Sequence, residues 1–172
     1  MSQHLKNMKE GEELEFKHIQ FNVKIQAPFK AKHIGMIVGG TGVTPMIQAI
    51  HAVLGDKASG TKVTMLYGSR SADDILGKQL LDEWAKKYPE RLEVVHVLSN
   101  EPKESLWDGA RGFISKEMIQ SKFGAPSLGE DVLIFVCGPP PMYKAFCGAR
   151  DDKELSGILA DVGYNPQQVF KF

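Results

Sequence analysis

Residues 39–45, Gly-Gly-Thr-Gly-Val-Thr-Pro, place three glycines, two threonines and a proline directly after an apolar run. At Gly39, Gly40 and Gly42 the missing side chains free backbone N–H groups to face a phosphate, aided by the dipole of a following helix. Thr41 and Thr44 add hydroxyls suited to phosphate, ribose or a ring edge. Pro45 has no N–H and a preset φ, so it starts a helix without disturbing those donors. The stretch is not the fingerprint G-x-G-x-x-G, because Pro45 holds the third glycine position. It is not a P-loop either, because no Gly-Lys-Ser/Thr follows. A tight turn that only packs a helix on a sheet is an equal reading of these glycines taken alone.

A second unusual turn, Cys-Gly-Pro-Pro-Pro-Met, spans residues 137–142. Three prolines make a stiff bend with few donors, and Gly138 lets a flat group lie against the backbone. Cys137 would sit at a fixed place on a strand tip. Its bland reading is a small buried hydrophobe, the commoner fate of a free cysteine.

The elements that position these turns read as alternating strand and helix. Strands are expected at residues 33–40, 61–70, 91–99, 131–138 and 167–172, and helices at 44–55, 73–89, 115–124, 139–150 and 152–163. Gly55 is expected just past the end of the first of these helices, and Ser115 as a cap. Residues 100–112 read as a loop. This alternation predicts an α/β fold, an open parallel sheet with helices on both faces. In such sheets ligands lie beyond the carboxyl ends of the strands, where strand order reverses. Both unusual turns follow strands. Before residue 33 the grain differs, with a short helix at 2–11 capped by Ser2 and an alternating strand pair over 13–25.

The bulk properties exclude several classes. The chain has 172 residues, 42% of them hydrophobic and 24% charged, as in an ordinary globular protein. Lys plus Arg equals Asp plus Glu, 21 each, so net charge argues for no nucleic-acid partner. Two cysteines, Cys137 and Cys147, are too few for a disulfide framework and suit a reducing compartment. The longest apolar runs are strand-sized, and residues 1–7 lack the core of a signal peptide. His33, His51 and His96 lie in different elements without metal-ligand spacing, so no metal is expected. Trp84 follows a helical period and reads as core.

With its motifs in order, the chain resembles the NADH–cytochrome b5 reductases within the ferredoxin-reductase-like flavoenzymes. The resemblance rests on residues 39–46 and 137–142, on Asp73–Leu76, on Trp107–Ile114 and on the terminal Phe-Lys-Phe. Residues 1–8 are similar to the last helix of that family's flavin domain. The resemblance implies a lobe at 33–172 that binds a nicotinamide nucleotide, preceded at 1–32 by a remnant of an antiparallel β flavin domain. It implies that Gly39, Gly40, Thr41, Gly42, Thr44 and Pro45 line the nucleotide's path, with Thr44 toward FAD. Cys137, Gly138, Pro139 and Met142 would face the nicotinamide, and Ser2 the flavin. Thr41 and Cys137 are thereby the candidate catalytic residues, Cys137 by contact and not as a nucleophile. The implied reaction is hydride transfer from NADH to FAD, then single electrons to a haem protein, cytochrome b5 being expected.

Two departures qualify this. The family's Arg-x-Tyr-Thr/Ser flavin grip is missing, so the chain is expected to begin at the end of the flavin domain and to be inactive alone. His18-Ile19-Gln20-Phe21 stands where the family has Gly-Pro-x-Gly. Membrane attachment, at the cytoplasmic side of endoplasmic reticulum or outer mitochondrial membrane, would come only from a segment outside this chain. Nucleotide choice stays open. Ser99 occupies a position where the family's NADH enzymes often carry an acid, and Ser69-Arg70 suits a 2′-phosphate. Asn-Arg at the latter place is common in NADH enzymes, so NADH is expected and NADPH is the alternative. For Arg70 a solvated loop charge is an equal reading. A nitrate-reductase-type flavoreductase lobe and a non-enzymatic nucleotide-binding module are the rival readings.

Overall fold

A computed structural model describes residues 2–17 and 25–172. Six strands form one sheet: β1 (His33–Gly39), β2 (Lys62–Ser69), β3 (Leu92–Leu98), β4 (Ala110–Arg111), β5 (Val132–Cys137) and β6 (Val169–Lys171). Their order across the sheet is β4-β3-β2-β1-β5-β6, and every pair is parallel. The helices are α1 (Ser2–Asn7), α2 (Val43–Gly55), α3 (Lys78–Lys87), α4 (Lys116–Lys122), α5 (Pro140–Phe146) and α6 (Gly157–Val162).

The pleat sorts side chains between two cores. Ile34, Met36 and Val38 of β1 join Val63, Met65 and Tyr67 of β2 and Phe135 of β5 on one face, covered by Met46, Ile50 and Val53 of α2 and Leu81 of α3. Ile37, Leu66, Ile134 and Val136 point the other way, under Ile119 of α4, Tyr143 and Phe146 of α5 and Leu159 of α6. β1 is buried on both faces, which is why it reads as an unbroken apolar run. Burying a Leu- or Ile-sized side chain contributes roughly 1.5–3 kcal/mol, so this double core is the main source of stability.

Several boundaries differ from the sequence expectation. The helix expected over 73–89 is split. Ser71 and Asp74 cap a 3-10 turn at Ala72–Asp74, and Gly77 at φ 68° interrupts the chain before α3. Residues 110–111 are strand, not loop; two residues carry no periodic signal, and only pairing with Val97 and Leu98 makes β4. Gly55 ends α2 instead of following it. The helix expected over 152–163 shrinks to α6; residues 152–156 are irregular, with Lys171 Nζ donating to the carbonyls of Ala149, Asp152 and Glu154. α1 starts at Ser2 itself, so Ser2 does not precede the helix as a cap. Of the strand pair expected over 13–25, residues 13–17 and residue 25 carry no strand, and residues 18–24 lie outside the described residues.

Candidate functional site

The strand order reverses between β1 and β5, since the chain builds outward from β1 through β2, β3 and β4 and then crosses to β5. At such a point the turns leaving two adjacent strands diverge and leave a crevice. Val38 stands beside Cys137 in the register, so the two unusual turns lie side by side.

The glycine turn is a 3-10 turn at Gly40–Gly42 that runs directly into α2. Its glycines do different work. A β-carbon on Gly42 would overlap the Cys137 carbonyl, standing 2.6 Å from its carbon. One on Gly39 would stand 2.8 Å from Met142 Cε and 2.9 Å from Pro139 Cδ. These two are small because protein packs against them. Gly40 is the opposite case: its φ is 52°, and a β-carbon there would meet nothing within 4 Å. Gly40, Thr41 and Thr44 are exposed, whereas Gly42 and Val43 between them are buried.

No side chain caps the start of α2; the Val43 N–H is taken up by the Gly40 and Thr41 carbonyls, and Pro45 has none, so donors for a ligand come from the turn before the helix. Thr44 Oγ1 donates to the Thr41 carbonyl at 3.1 Å, which ties its hydroxyl to the turn. Pro45 lies within the first turn of α2. The donors, the open space at Gly40 and the helix dipole suit an anionic diphosphate.

Across the crevice, Pro139 leads into α5, with Pro140 and Pro141 at its start. Gly138 is crossed by Met142, whose Sδ would collide with a β-carbon there. Cys137 is a half-buried free thiol. Beside it is Tyr143, whose hydroxyl donates to the Phe172 carbonyl. Burial, with the Cys137 thiol next to it, pushes the Tyr143 phenol up to about 12. Phe172 N–H in turn donates to Val136 at 3.0 Å, so the terminal Phe-Lys-Phe extends the sheet toward the crevice. Cys147 is a different case, fully buried, and burial raises its thiol to about 11.

Ser69 and Arg70 lie one strand away, Ser69 as the last residue of β2 and Arg70 just past it. Ser99 donates its N–H to the Ser69 carbonyl at 3.0 Å, and Asn100 N–H donates to the Arg70 carbonyl at 2.8 Å. Ser69 Oγ is buried without a hydrogen-bond partner among the described residues. Arg70 is exposed. The structure thus brings Gly39–Pro45, Cys137–Met142 and Ser69–Arg70 to one end of the sheet. The Ser2 side chain lies outside the described residues.

Two residues escaped the sequence reading. Tyr67 and Tyr143 are buried phenols inside regular elements, and their patterns fit core positions equally well. Nothing short of the tertiary contacts of their hydroxyls marks them.

Residues 36–148 match the family described as oxidoreductase NAD-binding domain. The chain is 44% identical over its whole length to NADH-cytochrome b5 reductase 2 of Aspergillus terreus, of which it covers 54%. It is 42% identical to the enzyme of the same name from Phaeosphaeria nodorum, covering 52% of it. The chain therefore spans about half the length of these curated relatives. Among solved structures, the cytochrome b5 reductase domain of Ulva prolifera nitrate reductase is similar at TM-score 0.69 and 28% identity, over 83% of this chain and 50% of that one. The CS-b5R domains of human Ncb5or in an NAD+ form are similar at TM-score 0.67 and 26% identity, over 97% of this chain and 44% of that one.

Proposed function

The chain belongs to the oxidoreductase NAD-binding domain family, in its NADH–cytochrome b5 reductase branch, and from that premise we propose that it is a reductase's nucleotide lobe, positioning NADH for hydride transfer to FAD. The observation that carries the reading is the crevice between β1 and β5, with an open, donor-rich turn on one wall and the Cys137–Met142 turn on the other. In this reading Gly40 and Thr41 meet the diphosphate, and Gly39 and Gly42 let the turn seat closely. Ser69 and Arg70 meet the adenosine ribose. Cys137, Gly138, Pro139 and Met142 form the wall against which the nicotinamide lies.

When bound, the two cofactors supply hydride transfer and then single-electron delivery to a haem protein, cytochrome b5 in the proposed case. This chain's residues bind, orient and exclude water. Cys137 acts by contact, setting the angle and distance of the ring, and a misplacement of about 1 Å in such a step costs on the order of a hundredfold. Thr41 orients the nucleotide from the other wall. In this reading Thr44, exposed at the start of α2, faces the flavin side.

The domain reading is residues 33–172 as this lobe and 1–32 as the end of a flavin domain, with any membrane anchor, on the cytoplasmic side, supplied by other segments. No helix among the described residues is long and apolar enough to cross a membrane. A nitrate-reductase-type acceptor is the second reading, favoured by the likeness at 28% identity and outweighed by 44% to the cytochrome b5 reductase.

The test has two arms. Calorimetric titration of the 172-residue chain with NADH should give saturable binding. Incubation with excess FAD followed by desalting should leave no flavin absorbance and no NADH–ferricyanide turnover. A folded chain that does not bind NADH sinks the assignment. Retained flavin with turnover overturns the expectation that this chain is inactive alone.

A further inference from the structure

The hydroxyl of Tyr67, a side chain with no solvent exposure, donates to the Gly40 carbonyl at 3.0 Å and lies 3.4 Å from the Leu76 carbonyl. The Gly40 carbonyl also accepts the Val43 N–H at the start of α2. Two donors therefore fix the direction of one peptide group, the one joining Gly40 to Thr41. That peptide is trans, and in a trans peptide the carbonyl and the following N–H point in opposite directions. With the carbonyl drawn toward β2, the Thr41 N–H faces away from the sheet, on the side where Gly40 has open space and Thr41 is exposed.

Gly40 needs such a tether. At φ 52° it has no side chain to hold it, and glycine passes readily between left- and right-handed backbone. Tyr67 itself is well anchored. Its ring packs on His96 with centroids 5.8 Å apart, His96 packs on Trp107 at 6.3 Å, and His96 Nε2 pairs with Asp82 at 3.1 Å. Burial raises the Tyr67 phenol, so it remains a donor across the neutral range.

We propose that Tyr67 is the positioning residue of the nucleotide site, its hydroxyl holding the Gly40–Thr41 peptide so that the Thr41 N–H donates to the diphosphate of the bound nucleotide. The inference rests on the function proposed above. It adds a residue that sits beneath the turn and touches no ligand.

The experiment compares three forms of the 172-residue chain. Tyr67→Phe keeps the ring and removes the tether, and NADH and ADP-ribose should both bind about tenfold more weakly. Tyr164→Phe is the control: its hydroxyl donates to the Gly124 carbonyl at 2.6 Å, at the amino ends of the strands. That variant should lose thermal stability and keep its NADH affinity. In the wild-type chain, the Thr41 amide resonance should be among those most shifted by ADP-ribose. Unchanged affinity in Tyr67→Phe, or equal losses in both variants, overturns the proposal while the nucleotide assignment stands. A wild-type Thr41 amide that does not respond to bound ADP-ribose overturns it whatever the variants do. A folded wild-type chain that binds neither ligand removes the nucleotide assignment and this inference with it.

Discussion

Gly42 lies so close to Cys137 that a β-carbon on Gly42 would stand 2.6 Å from the Cys137 carbonyl carbon. At this point the two walls of the crevice meet backbone to backbone, beside the packing of the Met142 and Pro139 side chains on Gly39. Gly42→Ala must force the turns apart or unseat the start of α2. Overpacking of this kind costs about 1–3 kcal/mol. For a chain of this size, thermal unfolding should shift down by about 4–8 °C for a loss near 2 kcal/mol. A differential scan of the variant checks this, and an unchanged midpoint would deny the contact.

Gly40 should behave differently. Its β-carbon would meet no protein atom, so the cost to folding is the left-handed backbone alone, about 1 kcal/mol for alanine and more for a β-branched residue. The space a side chain would fill is the space proposed for the diphosphate. Gly40→Val should therefore lower NADH affinity by about tenfold or more while the protein stays folded. Titration of the folded variant decides it; equal affinity would move the diphosphate elsewhere.

Stability should fall on mild acidification. Burial holds the His96 ring below the ordinary histidine value, and Asp82 opposes that only in part. Burial, then Lys62, lowers His33 as well. Both rings take up protons more readily in the unfolded chain, so their contribution is intact above about pH 6.5 and is lost as pH falls through the lower folded values. Asp82 is net lowered: burial works against it, but Lys78 and His96 outweigh burial, and its own loss comes only further down, below the ordinary carboxylate range. The unfolding midpoint should drop between about pH 7 and pH 5, and His96→Gln should flatten that slope. A slope identical to the wild type would exclude His96 as its source.

Nucleotide choice should respond to Ser99. Its backbone is hydrogen-bonded to Ser69, beside exposed Arg70, so a carboxylate there would face a ribose 2′-phosphate. Ser99→Asp should reduce the affinity for NADPH relative to NADH by about tenfold, since the added charge repels only the phosphorylated ribose. The ratio of the two dissociation constants is the readout. A ratio unmoved by the substitution would place the ribose away from the ends of β2 and β3.

Much of this protein was legible before any coordinates. The apolar runs ending at Gly39 and Cys137 read as buried strands because both faces of β1 and β5 are covered. Alternation with helices gave a parallel sheet, since parallel strands need crossovers. Ser115 was recognisable as a cap because capping is local, and its hydroxyl does accept the Met118 N–H. The glycine and proline turns stood out because backbone needs such as positive φ and missing donors restrict residue type at single positions.

What the tertiary structure decided concerns partners distant along the chain. Sequence could not say which glycine is small for packing and which for open space, because Gly42 is restricted by the carbonyl of Cys137 and Gly40 by nothing within the protein. It gave no sign of β4, since two residues become strand only by pairing with β3. It could not single out Tyr67, because a buried tyrosine on β2 looks like any core aromatic until its hydroxyl is found on Gly40. Local pattern fixes what each segment prefers to be. Sheet order and register determine which backbone groups meet, and in this crevice those meetings position the donors.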